Sequence, residues 1–141
     1  MKKYKKGYTS GVYDMLHIGH INIFKNAKKY CDYLLVAVST DEVVIKNKNK
    51  EPIIPFKDRI EIVSSIKYVD EVVSQDSYDI QGKIDAVKKH NINVVFVGSD
   101  WKNTEKWNAI EKELKNIGCD VVYLPHTDGI SSTMLRKKIG K

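Results

Sequence analysis

Four short apolar runs punctuate the chain: "DYLLVAV" (32–38), "VDEVV" (69–73), "INVVFVG" (92–98) and "CDVVYLP" (119–125). They are rich in β-branched residues, and three are apolar nearly throughout, as expected of strands covered on both faces. A fifth, weaker strand is predicted in "KKGYTSG" (5–11). Helical periodicity fills the gaps. "GHINIFKNAKKYC" repeats apolar side chains at Ile21, Phe24, Ala27 and Cys31, and "PFKDRIEIVSSIKY" sets Pro55 near a helix start with Ile60, Val63 and Ile66 along one face. "YDIQGKIDAVKKHN" and "TEKWNAIEKELKNIG" follow, the latter with Thr104 as cap and Gly118 as stop. A last helix is predicted from near Ser131 toward Ile139, and "KNKNKEPIIP" (46–55) reads as the one long irregular connection. Strand and helix alternate with no repeat and no low-complexity linker. That predicts one α/β domain over 1–141: an open, mostly parallel five-stranded sheet with helices on both faces. Ligands of such sheets sit beyond the carboxyl ends of the strands.

Composition narrows the picture without changing it. The 141 residues fit a single domain with a real core, and 42% hydrophobic with 30% charged residues reads as soluble and globular. No apolar run approaches the roughly 18 residues of a membrane helix. "MKKYKKGY" is basic but lacks the apolar stretch of a secretion signal, so a cytoplasmic protein without a membrane partner is expected. Cys31 and Cys119 form no CxxC pair, which suggests neither a disulfide framework nor a zinc site. No protein-held metal set is assigned. A net charge of +6 favours polyanionic partners: nucleic acid, or a nucleoside triphosphate with a phosphorylated second substrate. The excess lysines are scattered, and a plain solvated surface would carry them as well.

The chemistry concentrates in "GVYDMLHIGH" (11–20), where a strand turns into a helix beginning near His17. A helix start offers free backbone N–H groups and a positive dipole end, both suited to phosphate. His17 and His20, three apart, share a helix face and so can address one anion. Gly19 removes the side chain that would hold a nucleotide off the backbone. By itself the pattern also fits an ordinary turn with two histidines.

The stretch resembles the G-x-F-D-x-x-H-x-G-H signature of the cytidylyltransferase branch of the nucleotidylyltransferase superfamily, with Tyr13 in place of the usual Phe. The resemblance extends through "STDE" (39–42), "R-x-x-x-x-x-S-I-K-Y-V-D-E-V" (59–72), "GSDW" (98–101) and "HTDGISST" (126–133), in family order. It is closest to the bacterial glycerol-3-phosphate cytidylyltransferases, small single-domain enzymes that are usually dimers. The resemblance implies a Rossmann-like fold, a homodimer and a place in cell-envelope precursor synthesis. It also implies a nucleotide site over Ser10, Gly11, Val12, Tyr13, Asp14 and Gly19, continued by Asp100 and by His126, Thr127, Gly129, Ile130, Ser131 and Ser132. The Ser-Ser-Thr run at a helix start is by its own chemistry an anion cradle or a plain N-cap. Trp101, at the sheet's ligand edge, suits stacking on a base, lining the substrate pocket, or covering a helix end. Lys48 and Lys50 match family lysines that reach substrate phosphates, Lys48 as part of the catalytic set. An extended 46–50 segment would point Lys46, Lys48 and Lys50 the same way. Arg59 and Lys67, about two helical turns apart, are expected to contact the second substrate, or else to be solvated helix surface. Asp14 is expected to orient the site or its metal, or to cap its turn.

The reaction implied is CTP plus a phosphorylated alcohol, glycerol 3-phosphate first, giving a CDP-alcohol and pyrophosphate. The attacking phosphate oxygen is already anionic, so no general base is required, and the sequence shows no nucleophile–base constellation. His17 and His20 are the expected donors to the triphosphate and transition state, with Mg²⁺ accompanying the nucleotide. His126 departs from the family Arg and cannot form that residue's bidentate fork. Ethanolamine phosphate, choline phosphate or another acceptor, or ATP as donor, therefore stays open. A non-catalytic nucleic-acid-binding module is the alternative of a different class; no recognition motif for RNA or DNA supports it.

Overall fold

The computed structural model describes residues 2–125, 127 and 132–140. Its strands fall on the apolar runs: β1 (Tyr4–Gly11), β2 (Cys31–Ser39), β3 (Glu71–Gln75), β4 (Val94–Gly98) and β5 (Asp120–Leu124). The helices are α1 (Ile18–Lys28), α2 (Asp41–Lys48), α3 (Phe56–Ser64), α4 (Ile80–His90), α5 (Glu105–Asn116) and α6 (Ser132–Lys138), with a short 3-10 turn at Ser99–Trp101. The five strands form one sheet in the order β3-β2-β1-β4-β5, and every pairing is parallel.

β2 explains why its run is apolar throughout. Leu34, Val36 and Val38 enter a core with Phe24 and Ala27 of α1 and Val63 of α3. Leu35 and Ala37 face the other way and pack with Val87 of α4 and Trp107, Ile110 and Leu114 of α5. Side chains alternate across a strand, so a sheet with helices on both faces needs apolar residues at every position. Each large one buried contributes roughly 1.5–3 kcal/mol. No helix among the described residues is long and apolar enough to cross a membrane.

Two local departures from the sequence pattern matter for the site. The irregular connection expected over 46–55 instead begins inside α2. Thr40 caps that helix by accepting from the Val43 N–H at 3.2 Å, Asp41 and Glu42 occupy its first turn, and Asn49 ends it in the left-handed region at φ 56°. Lys46 and Lys48 therefore sit on the last helical turn and diverge by about 200° rather than sharing a direction. The second departure is at α3, which stops at Ser64. The Ser64 and Ser65 hydroxyls both donate to the Glu61 carbonyl, at 2.8 and 2.9 Å, competing with the backbone ladder. Lys67 lies in the following turns and shares no helix face with Arg59.

Chain order reverses between β1 and β4, which neighbour each other at the centre of the sheet. At such a switch point the connections leave in opposite directions and open a crevice at the strands' carboxyl ends. The "GVYDMLHIGH" turn and "GSDW" both emerge there.

Candidate active site

The turn after β1 is conformationally costly. Tyr13 and Met15 both hold positive φ, 55° and 54°, a region that bulky side chains rarely adopt. Tyr13 folds back over Gly11, where an added Cβ would lie 2.9 Å from its Cζ. The buried ring then makes an edge contact with the His20 imidazole, centroids 5.4 Å apart, and packs on Phe24 at 5.2 Å. Burial pushes the Tyr13 phenol up, so it is a neutral platform beneath His20.

His17 is the N-cap of α1, and the two histidines complete a reciprocal capping box. The Gly19 N–H donates to His17 Nδ1 at 3.0 Å, and the His17 N–H donates to His20 Nδ1 at 3.1 Å. With both Nδ1 atoms accepting, each neutral ring carries its proton on Nε2. Desolvation lowers the pKa of His17, and desolvation with the neighbouring His17 takes His20 to about 4. Near neutral pH the pair is two uncharged N–H donors with ring centroids 4.0 Å apart. Gly19 is required by packing: a Cβ there would sit 2.8 Å from His17 Cε1.

These groups border a cavity of about 400 Å³ lined by Ser10, Gly11, Val12, Tyr13, His17, Gly19, His20, Asp100, Trp101 and Thr127. Thr127 is tied to α1 by the Asn22 side-chain amide, which donates to its hydroxyl at 2.8 Å. His126, Gly129, Ile130 and Ser131 lie outside the described residues, and for Ser132 only its place at the start of α6 is described. Trp101, 47% exposed, forms a rim shared with a second cavity of about 300 Å³. That cavity meets the first at Ser10, Gly11 and Val12 and holds Lys48, Lys83 and Lys106.

Asp14, 3% exposed, anchors the surroundings of the turn. Its carboxylate accepts from the Ile53 and Ile54 N–H groups, each at 2.9 Å, and pairs with Arg136 of α6. One side chain thus ties β1's turn, the segment before α3 and the C-terminal helix together. Lys48 comes close enough to Arg136 and Lys50 that, after desolvation, their charges lower its pKa. Positive charge is therefore concentrated around Lys48, on the wall of the second cavity.

The expected substrate contact at Arg59 is corrected by its burial. Arg59 is 0% exposed, and its guanidinium donates to the carbonyls of Ile54, Val12 and Ser39 at 2.7–2.8 Å and to Asp41 at 2.5 Å. It positions the ends of β1 and β2 instead of touching a ligand. Lys67 is exposed, lies over the Tyr68 ring and lines neither cavity. Lys50 is also exposed and lines neither cavity, although its charge helps to lower the pKa of Lys48. Lys83 and Lys106, which line the second cavity, and Arg136, which pairs with Asp14, carry no distinctive signal in the sequence. Lys83 (8% exposed) and Lys106 sit among many helical lysines, and Arg136 one turn into α6 follows the Ser-Ser-Thr run it could have been linked to.

The chain matches the cytidylyltransferase-like family model over residues 8–138. It is 40% identical to a glycerol-3-phosphate cytidylyltransferase of Bacillus subtilis over 135 residues, 96% of this chain and 97% of that one. It is 37% identical to an FAD synthase of Pyrococcus abyssi over 120 residues, 84% of this chain and 78% of the relative. Among solved structures, a lipopolysaccharide core biosynthesis protein from Thermoplasma volcanium superimposes with TM-score 0.69 and 26% identity, covering 87% of this chain and 96% of that one.

Proposed function

The chain belongs to the cytidylyltransferase-like family, and from that premise we propose that it joins CTP to a phosphorylated alcohol, glycerol 3-phosphate in the first instance. The products are a CDP-alcohol and pyrophosphate. The nucleotidyltransferase class follows from its relatives; the donor, the acceptor and the roles below are our reading. The observation that carries it is the shared wall at Ser10–Val12 between the histidine-bordered cavity and the lysine-lined one. Two anionic substrates seated on either side would bring their phosphates together there.

A phosphate oxygen of the acceptor attacks the CTP α-phosphorus, and the bond from that phosphorus to the pyrophosphate leaving group breaks. The nucleophile needs no deprotonation, so the protein's contribution is alignment and charge stabilisation. His17 and His20 direct Nε2–H donors at the oxygens of the α-phosphorus, where charge builds in the transition state. Lys48, on the wall of the second cavity, stabilises both phosphates, and Arg136 near it adds charge for the leaving group. Lys83 is the natural holder of the acceptor phosphate: it is buried and desolvated beside Lys106, lies over the Trp107 ring, and makes a long hydrogen bond of 3.4 Å to the Tyr78 carbonyl. Among the described residues no group of three His, Cys, Asp or Glu could hold a metal ion. We assign Mg²⁺ to the incoming triphosphate rather than to a protein site. A homodimer belongs to the same proposal and is read by light scattering.

The similarity to an FAD synthase supports a second reading, nucleotidyl transfer to another phosphorylated acceptor with ATP as donor. A matrix of nucleoside triphosphates against phosphorylated alcohols, scored by pyrophosphate release, tests both. Release confined to CTP with glycerol 3-phosphate supports the first. Release with ATP alone supports the second, and none with any pair refutes both.

A further inference from the structure

The second cavity has a wall that the phosphate chemistry does not use. Tyr78 Oη donates to Ser39 Oγ at 2.8 Å, Ser39 Oγ shares its proton between Gln75 Oε1 at 3.1 Å and the Gly11 carbonyl at 3.3 Å, and Gln75 Nε2 donates to Ser10 Oγ at 3.3 Å. Gln75 is 6% exposed and Ser39 fully buried, and all four residues line this cavity. The chain of bonds leaves defined capacity unused. Gln75 has a second amide N–H and a second lone pair on Oε1, and Tyr78 Oη has lone pairs after giving its proton to Ser39. One donor and two acceptors on a neutral wall match the donor-and-acceptor character of alcohol groups.

The charges of the cavity point the same way. Its ionisable side chains are Lys48, Lys83, Lys106 and the phenols of Tyr8 and Tyr78, with no carboxylate among them. Of the carboxylates around it, the exposed Asp79 caps α4 and acts on Lys83 through its charge without lining the cavity, while Asp76 and Asp85 line a separate chamber of about 230 Å³ that meets this one at Tyr8, Gln75 and Lys83. Whichever lysine takes the acceptor phosphate, a short amino-alcohol phosphate would leave its ammonium facing the other two. A buried cation without a counter-charge is strongly disfavoured.

We propose that Gln75, Ser39 and Tyr78 read the free hydroxyls of the acceptor and select a polyol phosphate over an amino-alcohol phosphate. The inference rests on the two-substrate reading above and names the acceptor class for it. Sites built to hydrogen-bond a hydroxyl reject the analogue lacking it because their own buried polar groups would be left unpaired.

The test measures kcat/KM with CTP for glycerol 3-phosphate, propyl phosphate and phosphoethanolamine, in wild type, Gln75→Leu and Tyr78→Phe. Wild type is expected to favour glycerol 3-phosphate over both analogues by at least about a hundredfold. Tyr78→Phe, the milder change, should compress the glycerol-to-propyl ratio about tenfold while leaving the KM for CTP unchanged, and Gln75→Leu should compress it further. Should Gln75→Leu fail to fold, Tyr78→Phe decides. Equal use of propyl phosphate by wild type, preference for phosphoethanolamine, or an unchanged ratio in Tyr78→Phe overturns the assignment. Those outcomes leave cytidylyl transfer standing, whereas absence of pyrophosphate release with every acceptor refutes the underlying reaction instead.

Discussion

The backbone N–H of His17 donates to Nδ1 of His20 at 3.1 Å, so one histidine's peptide fixes where the other carries its proton. Because His17 Nδ1 is itself occupied by the Gly19 N–H at 3.0 Å, structure and chemistry are separable at this residue. Nδ1 caps the helix, and Nε2 carries the proton of a ring that lines the cavity.

Substitutions at His17 should split accordingly. His17→Asn keeps a capping oxygen and loses the Nε2–H, so thermal stability should stay near wild type while kcat falls on the order of 10²–10³-fold. His17→Ala should show the same kinetic loss with a further destabilisation of about 1 kcal/mol from the missing cap. Melting curves beside steady-state rates check both.

The pH dependence has a definite sign. His20 titrates near 4 in the folded chain against an ordinary 6.5, so the unfolded chain binds a proton first as the solution is acidified. Its contribution to stability is complete above about 6.5 and is lost progressively as pH falls toward about 4. Tm should decline through that window in wild type, with a shallower slope in His20→Gln. His17, shifted the same way, adds to the wild-type slope.

Gly19→Ala places a Cβ 2.8 Å from His17 Cε1 and 3.0 Å from Nδ1. The helix itself would accept alanine, so the strain falls on the imidazole. The expected result is a folded protein of near-normal Tm whose kcat drops at least about tenfold, since displacing a positioned group by around 1 Å can cost 10²-fold.

Strands were legible because helices cover both sheet faces, and Leu34 to Val38 must then be apolar at every step. The histidine turn was legible because its residue types and spacing are set by local geometry. Arg59 was not: its role depends on carbonyls of Val12 and Ser39, 47 and 20 residues away, and on Asp41, 18 away. α2 is masked in the sequence because Lys46, Asn47 and Lys48 dominate its end, although Thr40 with Asp41 and Glu42 marks its start. Lys83 and Arg136 reach the site only through tertiary packing, which a single helix pattern does not reveal.

Arg59→Ala tests the corrected role. It removes a fully buried donor set and leaves Asp41 and three carbonyls without it, so unfolding free energy should fall by about 3–5 kcal/mol in denaturant titration. A loss confined to acceptor KM, with stability intact, would restore the ligand contact instead.

Asp14→Ala should loosen the 49–55 segment. The Ile53 and Ile54 amides and the Arg136 guanidinium would lose one shared acceptor, at about 1–3 kcal/mol for each buried group left unpaired. Faster limited proteolysis within that segment is expected, partly reversed in Asp14→Asn, which keeps an oxygen for the amides.

In the proposed reaction an acceptor phosphate oxygen attacks the CTP α-phosphorus in a site built from His17, His20 and Lys48. Glycerol 3-phosphate carrying heavy oxygen in its phosphate, turned over with unlabelled CTP, tests it most directly. Phosphorus NMR should find the label bridging the two phosphorus atoms of CDP-glycerol and none in pyrophosphate. Label missing from that bridge, or CMP formed in place of CDP-glycerol, would contradict the account.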